Sequence, residues 1–252
     1  MALYIGIQFV SEWLCHSERV APNYGFTGSE RPEYSIYGEY DVVVAGGGAS
    51  GCAAAIAAAR AGANTLLIEN LGSVGGMMNI SGPPGRAFSH LWNGYGEQII
   101  GGIVQEIHDI LEKEGHALPF PKKEDLDNNC FAFVDPDHCG LLLFRLLRES
   151  GVHLLLHTLV VDVLKEINTV KGLIVENTNG RMGVLGKVII EATGEGDVAV
   201  LAGVPYTKID RKKEEIDPPS ITFHMDGIDW KKVTDYFKTH LEEFKPHLNK
   251  NG

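Results

Sequence analysis

The chain has 252 residues, of which 44% are hydrophobic and 22% charged, and this composition excludes disordered, collagen-like and coiled-coil proteins. Its formal net charge of −11 predicts no basic face for nucleic acid, and its four scattered cysteines predict no disulfide framework. No apolar stretch approaches the roughly 18 residues that a membrane span needs, and the N-terminus makes a poor secretory signal. We therefore expect a cytoplasmic protein without a membrane span.

The first 38 residues show no sustained periodicity and are predicted to form an irregular leader. A buried strand is then predicted over Tyr40–Ala45, an alanine-rich helix over Ala49–Ala61 and a second strand over Asn64–Glu69. These three elements make a β-α-β unit, which places the two strands parallel in one sheet.

Apolar residues recur at helical spacing over Ile99–Leu111, which predicts a helix that Gly115 ends. Residues 116–134 contain prolines and a charged cluster and are predicted to form a loop. Asp135 followed by Pro136 is typical of an N-cap and a first helical residue, so another helix is predicted to begin there.

Four β-rich runs follow, over Val152–His157, Leu159–Ile167, Val170–Asn177 and Met182–Ile190. We expect three of them to form an antiparallel meander that leads back into the main sheet. A polar helix is predicted over Trp230–Lys245. The predicted fold class is therefore α/β: a Rossmann-like parallel sheet with helices and an antiparallel β-meander.

A glycine-rich motif carries the strongest functional signal. The residues after the first strand read G-x-G-x-x-G, from Gly46 through Gly48 to Gly51. Gly46 allows a tight turn, Gly48 allows the backbone to approach a pyrophosphate, and Gly51 allows close packing of helix on strand. Ala49 and Ser50 begin the helix, whose N-terminus supplies amide donors and a favourable dipole for phosphate. The motif predicts dinucleotide binding.

An acidic residue at the end of the second strand supports this interpretation. Glu69 lies 23 residues after Gly46, where an acid accepts hydrogen bonds from the adenosine ribose. The alternative is a glycine-rich turn that binds nothing. Because strand, helix and acid are all in register, we favour the dinucleotide site.

The segment after the second strand distinguishes between dinucleotides. It runs from Asn70 to Met77, contains the pair Gly75 and Gly76, and resembles the Gly-Gly segment beside the pyrophosphate in FAD enzymes of the glutathione-reductase structural class. NAD dehydrogenases usually lack this segment. The resemblance favours FAD over NAD.

A strand that ends in Ala-Thr-Gly, with Thr193 and Gly194, resembles the strand that returns to the FAD site in the same class. Five segments in order are similar to the FAD_oxidored family of bacterial FAD-dependent oxidoreductases. These segments are residues 40–70, 96–103, 134–137, 151–162 and 188–206. Members of the family are generally longer, so the resemblance implies the N-terminal half to two-thirds of such a protein.

The resemblance implies a noncovalently bound FAD. The implied FAD-binding residues are Gly46, Gly48, Ala49, Ser50, Gly51, Glu69, Asn70, Gly75, Gly76, Met77, Val160, Thr193 and Gly194. It also implies an FAD-binding domain over residues 39–206 and part of a cap or substrate region over residues 207–252.

Catalytic residues are harder to assign. Arg86 is a candidate for holding an anionic substrate and His90 for exchanging a proton, although a surface arginine and a packed histidine are the favoured alternatives. Residues 71–89 contain no Cys and no His, which argues against dithiol exchange and against covalent attachment of the flavin. His138 and Cys139 with Cys130 fit no common metal site, so we expect no metal.

The sequence therefore predicts an FAD-dependent oxidoreductase that transfers a hydride between a small organic substrate and the flavin. The first alternative is a non-catalytic flavin-binding subunit, for which a partner chain or a homo-oligomer completes the flavin site. The second, an NAD-dependent dehydrogenase, leaves Gly75 and Gly76 unexplained. Substrate identity is not encoded in the fold.

Overall fold

The computed structural model of the chain describes residues 35–80, 85–87, 97–119, 132–207, 225–240 and 243. Residues 1–34 of the predicted leader and residues 208–224 of the predicted cap region lie outside this part of the chain, as do His90 and Cys130.

The described residues form eight strands and six helices. The strands are β1 (Ser35–Ala45), β2 (Thr65–Ile68), β3 (Gly85–Ala87), β4 (Ala132–Val134), β5 (His153–Leu155), β6 (Leu159–Glu166), β7 (Thr169–Asn177) and β8 (Gly180–Glu191). The helices are α1 (Ala49–Arg60), α2 (Met77–Ile80), α3 (Ile103–Glu114), α4 (Pro136–Glu149), α5 (Asp197–Leu201) and α6 (Trp230–Thr239).

Six of the strands form one sheet in the order β5-β2-β1-β8-β7-β6. The neighbours from β5 to β8 pair in parallel, whereas β6, β7 and β8 form an antiparallel meander. β3 and β4 pair separately as a two-stranded antiparallel sheet. The predicted α/β fold with its β-α-β unit and meander is confirmed.

The register of the parallel strands fixes where a ligand site lies. Ala45, the last residue of β1, pairs with Ile68 at the end of β2 and with Glu191 at the end of β8. The segments that follow these three strands therefore emerge at one edge of the sheet. Ligands of open α/β sheets bind at this carboxyl edge.

The last three residues of β1 and all of β2 are buried between the two faces of the sheet, as predicted from their apolar sequences. Val44 and Leu67 point to one face, where α1, α3 and α4 cover them. Val43 and Leu66 point to the other face and pack with residues of β7, β8 and α5. Every residue of β2 is buried, so the strand that leads to Glu69 is held from both sides.

Two elements begin at residues other than the predicted ones. β1 begins at Ser35, five residues before the predicted start, because it pairs with β8 as far as Met182. α3 begins at Ile103, and Gly102 before it has a left-handed φ of 67° that a continuing helix does not allow. Ile99 therefore lies outside the helix and is 58% exposed.

Other predicted elements also differ in extent from those in the structure. The strand predicted up to His157 ends as β5 at Leu155, and His157 has a positive φ of 50°. Of the predicted polar helix, the structure describes α6 (Trp230–Thr239), and residues 241, 242, 244 and 245 of the predicted range lie outside the described residues. β4 lies at the end of the predicted loop 116–134, where it pairs with β3.

The start of α4 is confirmed in atomic detail. One carboxylate oxygen of Asp135, Oδ1, accepts hydrogen bonds from the backbone N–H of Asp137 at 3.0 Å and of His138 at 3.2 Å. Pro136 is the first helical residue, where its missing N–H costs nothing. The cap satisfies two of the amides that a helix leaves without internal acceptors.

We expect Asp135→Ala to lower the free energy of unfolding by about 0.5–2 kcal/mol, because the cap is lost. Asp135→Asn keeps an acceptor oxygen and should retain most of that stability. Urea unfolding followed by circular dichroism measures both changes. Equal stability of Asp135→Ala and the unchanged protein would contradict a stabilising cap.

Candidate functional site

The glycine-rich loop begins where β1 meets the ends of its two neighbours. The N–H of Gly46 donates to the carbonyl of Ile68 at 2.8 Å. Gly46 has a φ of 99°, and a Cβ at this position would lie 2.5 Å from the carbonyl oxygen of Ala192. Any other residue would be strained and would push the segment after β8 away.

Gly51 allows the helix to approach the loop. A Cβ on Gly51 would overlap the carbonyl oxygen of Gly46. α1 therefore packs against the loop as closely as its backbone permits. This contact aims the N-terminus of α1 at the carboxyl edge of the sheet.

The N-terminus of α1 is open to solvent. Gly48 is the N-cap without any capping side chain, and its Cβ direction meets nothing within 4 Å. The first hydrogen bond of the helix joins the N–H of Cys52 to the carbonyl of Gly48 at 2.9 Å. The N–H groups of the residues between them therefore have no acceptor within the helix. Ala49 and Ser50 are exposed, and the first turn carries no acidic residue. These features favour an anion.

The Gly-Gly segment lies directly beside this loop. The N–H of Gly75 donates to the carbonyl of Gly47 at 2.7 Å. A Cβ on Gly76 would lie 3.0 Å from the Cα of Gly48. Both residues have positive φ values, 109° and 54°, so glycine is favoured at each. The two glycine-rich segments together form one narrow cradle around Gly48.

Glu69 connects the loop to the end of β2. Its Oε2 accepts the N–H of Gly47 at 2.6 Å, and its Oε1 accepts the N–H of Leu71 at 2.8 Å. The residue is only 7% exposed. A carboxylate has about four lone-pair sites, so each oxygen of Glu69 can accept a further hydrogen bond from a ribose hydroxyl.

The segment after β8 closes the other side of the loop. The N–H of Ala192 donates to the carbonyl of Ala45 at 2.9 Å, which continues the parallel pairing. The hydroxyl oxygen of Thr193 accepts the N–H of Asp197 at 3.0 Å, and Gly194 faces open space. The Thr-Gly segment therefore lies at the same edge as the glycine cradle.

Sequence reasoning missed a supporting role for Glu191. Its Oε1 accepts the N–H of Thr193 at 2.6 Å, and its Oε2 accepts the N–H of Ala199 at 3.1 Å. The carboxylate thus holds the turn between β8 and α5. The signal available in the sequence was an acid directly before Ala-Thr-Gly.

The remaining predicted FAD-binding residues are Asn70, Met77 and Val160. Asn70 is exposed directly after Glu69, and Met77 is exposed at the start of α2. Val160 is half-buried in β6. The N–H of Thr158, two residues earlier, donates to the carbonyl of Glu69 at 3.0 Å, so this part of the chain passes beside Glu69.

The two catalytic candidates are not brought into the cradle by the described contacts. The backbone of Arg86 pairs with Phe133 in the small β3-β4 sheet. His90 lies outside the described residues. Their catalytic roles stay predictions.

Cys52 contacts the glycine-rich loop from the first turn of α1. Its Sγ donates to the carbonyl of Gly47 at 3.1 Å, and the residue is fully buried. Burial raises the pKa of the Cys52 thiol to about 12, and the charge of Glu69 also raises it. Cys52 is therefore a small core residue that also contacts the glycine loop.

The site fits the adenosine and pyrophosphate half of a dinucleotide. Open space above Gly48 admits a phosphate group, the N-terminus of α1 offers amide donors, and Glu69 offers acceptor oxygens at the end of the next strand. The arrangement defines a dinucleotide-binding protein of the Rossmann-like class.

The chain belongs to the family described as FAD dependent oxidoreductase, which it matches over residues 41–251. FAD is the cofactor of this family, and the cradle described above is suited to it.

Two curated relatives are digeranylgeranylglycerophospholipid reductases. The chain is 29% identical over 177 residues to that of Sulfolobus acidocaldarius, covering 62% of this chain and 34% of the relative. It is 26% identical over 200 residues to reductase 1 of Methanococcoides burtonii, covering 79% of this chain and 48% of the relative. The chain thus spans between a third and a half of the length of these relatives.

A similar solved structure is the geranylgeranyl bacteriochlorophyll reductase-like protein of Thermoplasma acidophilum. It has 26% sequence identity and a TM-score of 0.46, and the match covers 66% of this chain and 42% of that protein.

Among the described residues, no helix combines the length and apolar character needed to cross a membrane.

We expect Cys52 to resist alkylation in the folded protein. With a pKa of about 12, its thiolate fraction at pH 8 is on the order of 10⁻⁴, and burial also blocks access. Iodoacetamide labelling followed by peptide mass spectrometry measures the rate with and without 6 M guanidinium as the control. Equal labelling rates in both conditions would contradict the buried loop contact.

Proposed function

We propose that the chain binds FAD noncovalently through its adenosine and pyrophosphate half, in a protein that transfers a hydride between a small organic substrate and the flavin. When bound, FAD supplies a hydride acceptor. The residues described here bind and orient that cofactor.

The open N-terminus of α1 is the observation that carries the proposal. Gly48 leaves space where a side chain would stand, and the Gly-Gly segment passes so near that a Cβ on Gly76 would lie 3.0 Å from the Cα of Gly48. A pyrophosphate in this space would accept the N–H groups of the first turn and lie at the positive end of the helix dipole. Gly48 is thus the residue whose missing side chain would leave room for the phosphate, whereas positive φ values favour glycine at Gly75 and Gly76.

Glu69 is proposed to bind the adenosine ribose. Its carboxylate is fixed by the N–H groups of Gly47 and Leu71 before any ligand binds. This preorganisation reduces the entropy lost when the ribose hydroxyls donate to it. Because the same carboxylate also holds Gly47, ribose recognition and loop geometry are coupled.

Arg86 and His90 stay our candidates for the substrate side. β3 follows α2, which begins directly after the Gly-Gly segment, so Arg86 lies on the part of the chain that leaves the cradle. A guanidinium there would bind an anionic group, and an imidazole at His90 would exchange a proton. Single substitutions that lower turnover without changing FAD affinity would support these roles.

One alternative to this proposal concerns activity. A flavin-binding subunit that relies on a partner chain or a second copy would bind FAD but turn over only when the partner is added. Turnover of the flavin-loaded chain with a reducing substrate, measured alone and with co-purifying chains, distinguishes this alternative from an enzyme that is active by itself.

We expect Gly48→Val to abolish FAD binding while the fold is retained. The Cβ of Gly48 meets nothing within 4 Å and its φ is an ordinary −69°, so valine fits the protein but occupies the phosphate space. Loss of an N-cap glycine should lower stability by only about 1 kcal/mol. Isothermal titration with FAD measures binding, and circular dichroism measures the fold.

A matched control is Gly101→Val. Gly101 lies two residues before α3, and its Cβ direction meets a single side-chain atom, Nε2 of Gln98 at 3.6 Å, rather than any atom of the cradle. We expect this variant to bind FAD as the unchanged protein does. A Gly48→Val protein that purifies with a full complement of FAD would refute the proposed phosphate position.

We expect Glu69→Ala to weaken FAD binding by about 10- to 100-fold, because hydrogen bonds to a charged acceptor contribute roughly 1.5–3 kcal/mol. Glu69→Gln keeps one acceptor oxygen and should lose less. Fluorescence titration with FAD and with ADP measures both affinities. If the FAD affinity of Glu69→Ala is unchanged, the ribose does not bind at this residue.

A further inference from the structure

Asn79 closes the turn that contains the Gly-Gly segment. Its amide nitrogen, Nδ2, donates a hydrogen bond to the carbonyl of Val74, the residue directly before Gly75. Its backbone N–H donates to the carbonyl of Gly76 at 3.1 Å. One residue therefore binds the carbonyl that precedes the two glycines and the carbonyl that ends them, so it restrains both glycines from one position.

The orientation of the Asn79 amide follows from its partner. A carbonyl oxygen can only accept a hydrogen bond, so the nitrogen of the amide, and not its oxygen, faces Val74. The amide oxygen, Oδ1, is buried without a hydrogen-bond partner among the described residues. A buried acceptor of this kind lowers stability, and an apolar side chain of similar size would avoid the loss. The nitrogen donor is therefore what asparagine contributes at this position.

The helix that carries Asn79 depends on contacts beyond its own backbone. The structure describes α2 as a single turn of four residues, and isolated helices shorter than about 12–15 residues are marginal in water. Met78 anchors this turn in the core, where it is 8% exposed. The side chain of Asn79 reaches back past the glycines to Val74 and so connects the turn to the segment before it.

Helix α4 contains a glycine at the point where it meets Asn79. Gly140 lies in the interior of α4, where glycine is less favourable than alanine. A Cβ on Gly140 would lie 2.8 Å from Nδ2 of Asn79, and a Cβ on Gly75 would lie 3.4 Å from the same nitrogen. The amide is thus packed between α4 and the Gly-Gly segment, and the absence of a side chain at Gly140 gives it room.

The turn that Asn79 closes borders the proposed phosphate space. Gly75 forms a parallel bridge with Gly48, the residue whose open side is proposed to receive the pyrophosphate. The N–H of Gly75 also donates to the carbonyl of Gly47. A shift of Gly75 would therefore move one wall of the phosphate space.

We propose that Asn79 is a positioning residue for the cofactor, because its side-chain donor fixes the Gly-Gly segment against Gly48. The inference rests on the proposed binding of FAD in the cradle. Asn79 acts through the backbone of Gly75 and Gly76. Gly140 acts one step further away, since it allows the amide of Asn79 to lie where it reaches its acceptor.

Equilibrium titration with FAD and with ADP at pH 8 tests the proposal. We expect Asn79→Ala to weaken both ligands by about three- to tenfold, the effect of losing one neutral hydrogen bond. Asn79→Asp has nearly the same shape but no donor when ionised, so it should weaken both at least as much. Asn64→Ala is the matched control, because the Asn64 amide also donates to a backbone carbonyl, that of Glu39, but directly before β2. This end of β2 lies opposite the cradle, and the control should bind FAD as the unchanged protein does.

Gly140→Ala separates positioning from stability. Alanine favours the helix, but its Cβ would displace the flexible end of the Asn79 side chain. We expect this variant to unfold at the same temperature or higher while it binds FAD about three- to tenfold more weakly. In the Asn79→Ala background the same substitution should not weaken binding further, because the displaced amide is already absent. Additive losses in the double variant would contradict the proposed route through Asn79.

A measurement without ligand separates this inference from FAD binding. Hydrogen exchange of the Gly75 amide, followed by NMR, reports how often its N–H leaves the carbonyl of Gly47. We expect Asn79→Ala to speed this exchange by about three- to tenfold while the amides of β7 exchange as before. A general loss of stability would instead speed exchange in β7 as well. Circular dichroism establishes that each variant folds, and Gly140→Ala decides the proposal if an Asn79 variant does not.

Two outcomes would overturn the proposal. The first is unchanged exchange of the Gly75 amide in Asn79→Ala, which would mean that the segment keeps its position without the side chain. The second is unchanged FAD affinity in Asn79→Ala and Asn79→Asp when the unchanged protein binds FAD. A chain that binds no FAD would refute the proposed function instead, and exchange at Gly75 would still decide whether Asn79 holds the segment.

Discussion

The structure depends on a close backbone approach where three parallel strands end. Gly46 lies against Ala192 after β8, and Gly51 brings α1 against the carbonyl of Gly46. These contacts leave no room for side chains, so the loop, the helix and the segment after β8 are placed by backbone alone. The open space at Gly48 follows from this arrangement.

The electrostatics of the site are local. A chain with a net charge of −11 would repel a pyrophosphate at long range, but screening limits such effects to about 8–10 Å at physiological salt. Within that distance the ligand would meet the amide end of α1, whose first turn has no acidic residue. Both oxygens of Glu69 accept backbone N–H groups, which fixes the orientation of this carboxylate beside the loop.

Much of this arrangement was predictable because its signals are local. The strand, G-x-G-x-x-G, helix and acid lie within thirty residues, and Asp135 with Pro136 marks the start of α4. Features that depend on distant pairing were not predictable in the same way. The early start of β1 depends on β8, and the contact of Cys52 with Gly47 depends on how α1 docks. The stacking of His116 on His138 likewise depends on the meeting of two helix termini.

The central claim is that affinity for FAD comes from the adenosine and pyrophosphate half of the cofactor. Equilibrium titration of the purified chain with FAD and with FMN tests it most directly, because FMN carries the same flavin ring without adenosine. The account predicts that FAD binds at least tenfold more tightly than FMN, a difference of about 1.4 kcal/mol or more. Equal affinity for the two flavins, or no binding of FAD, would contradict it.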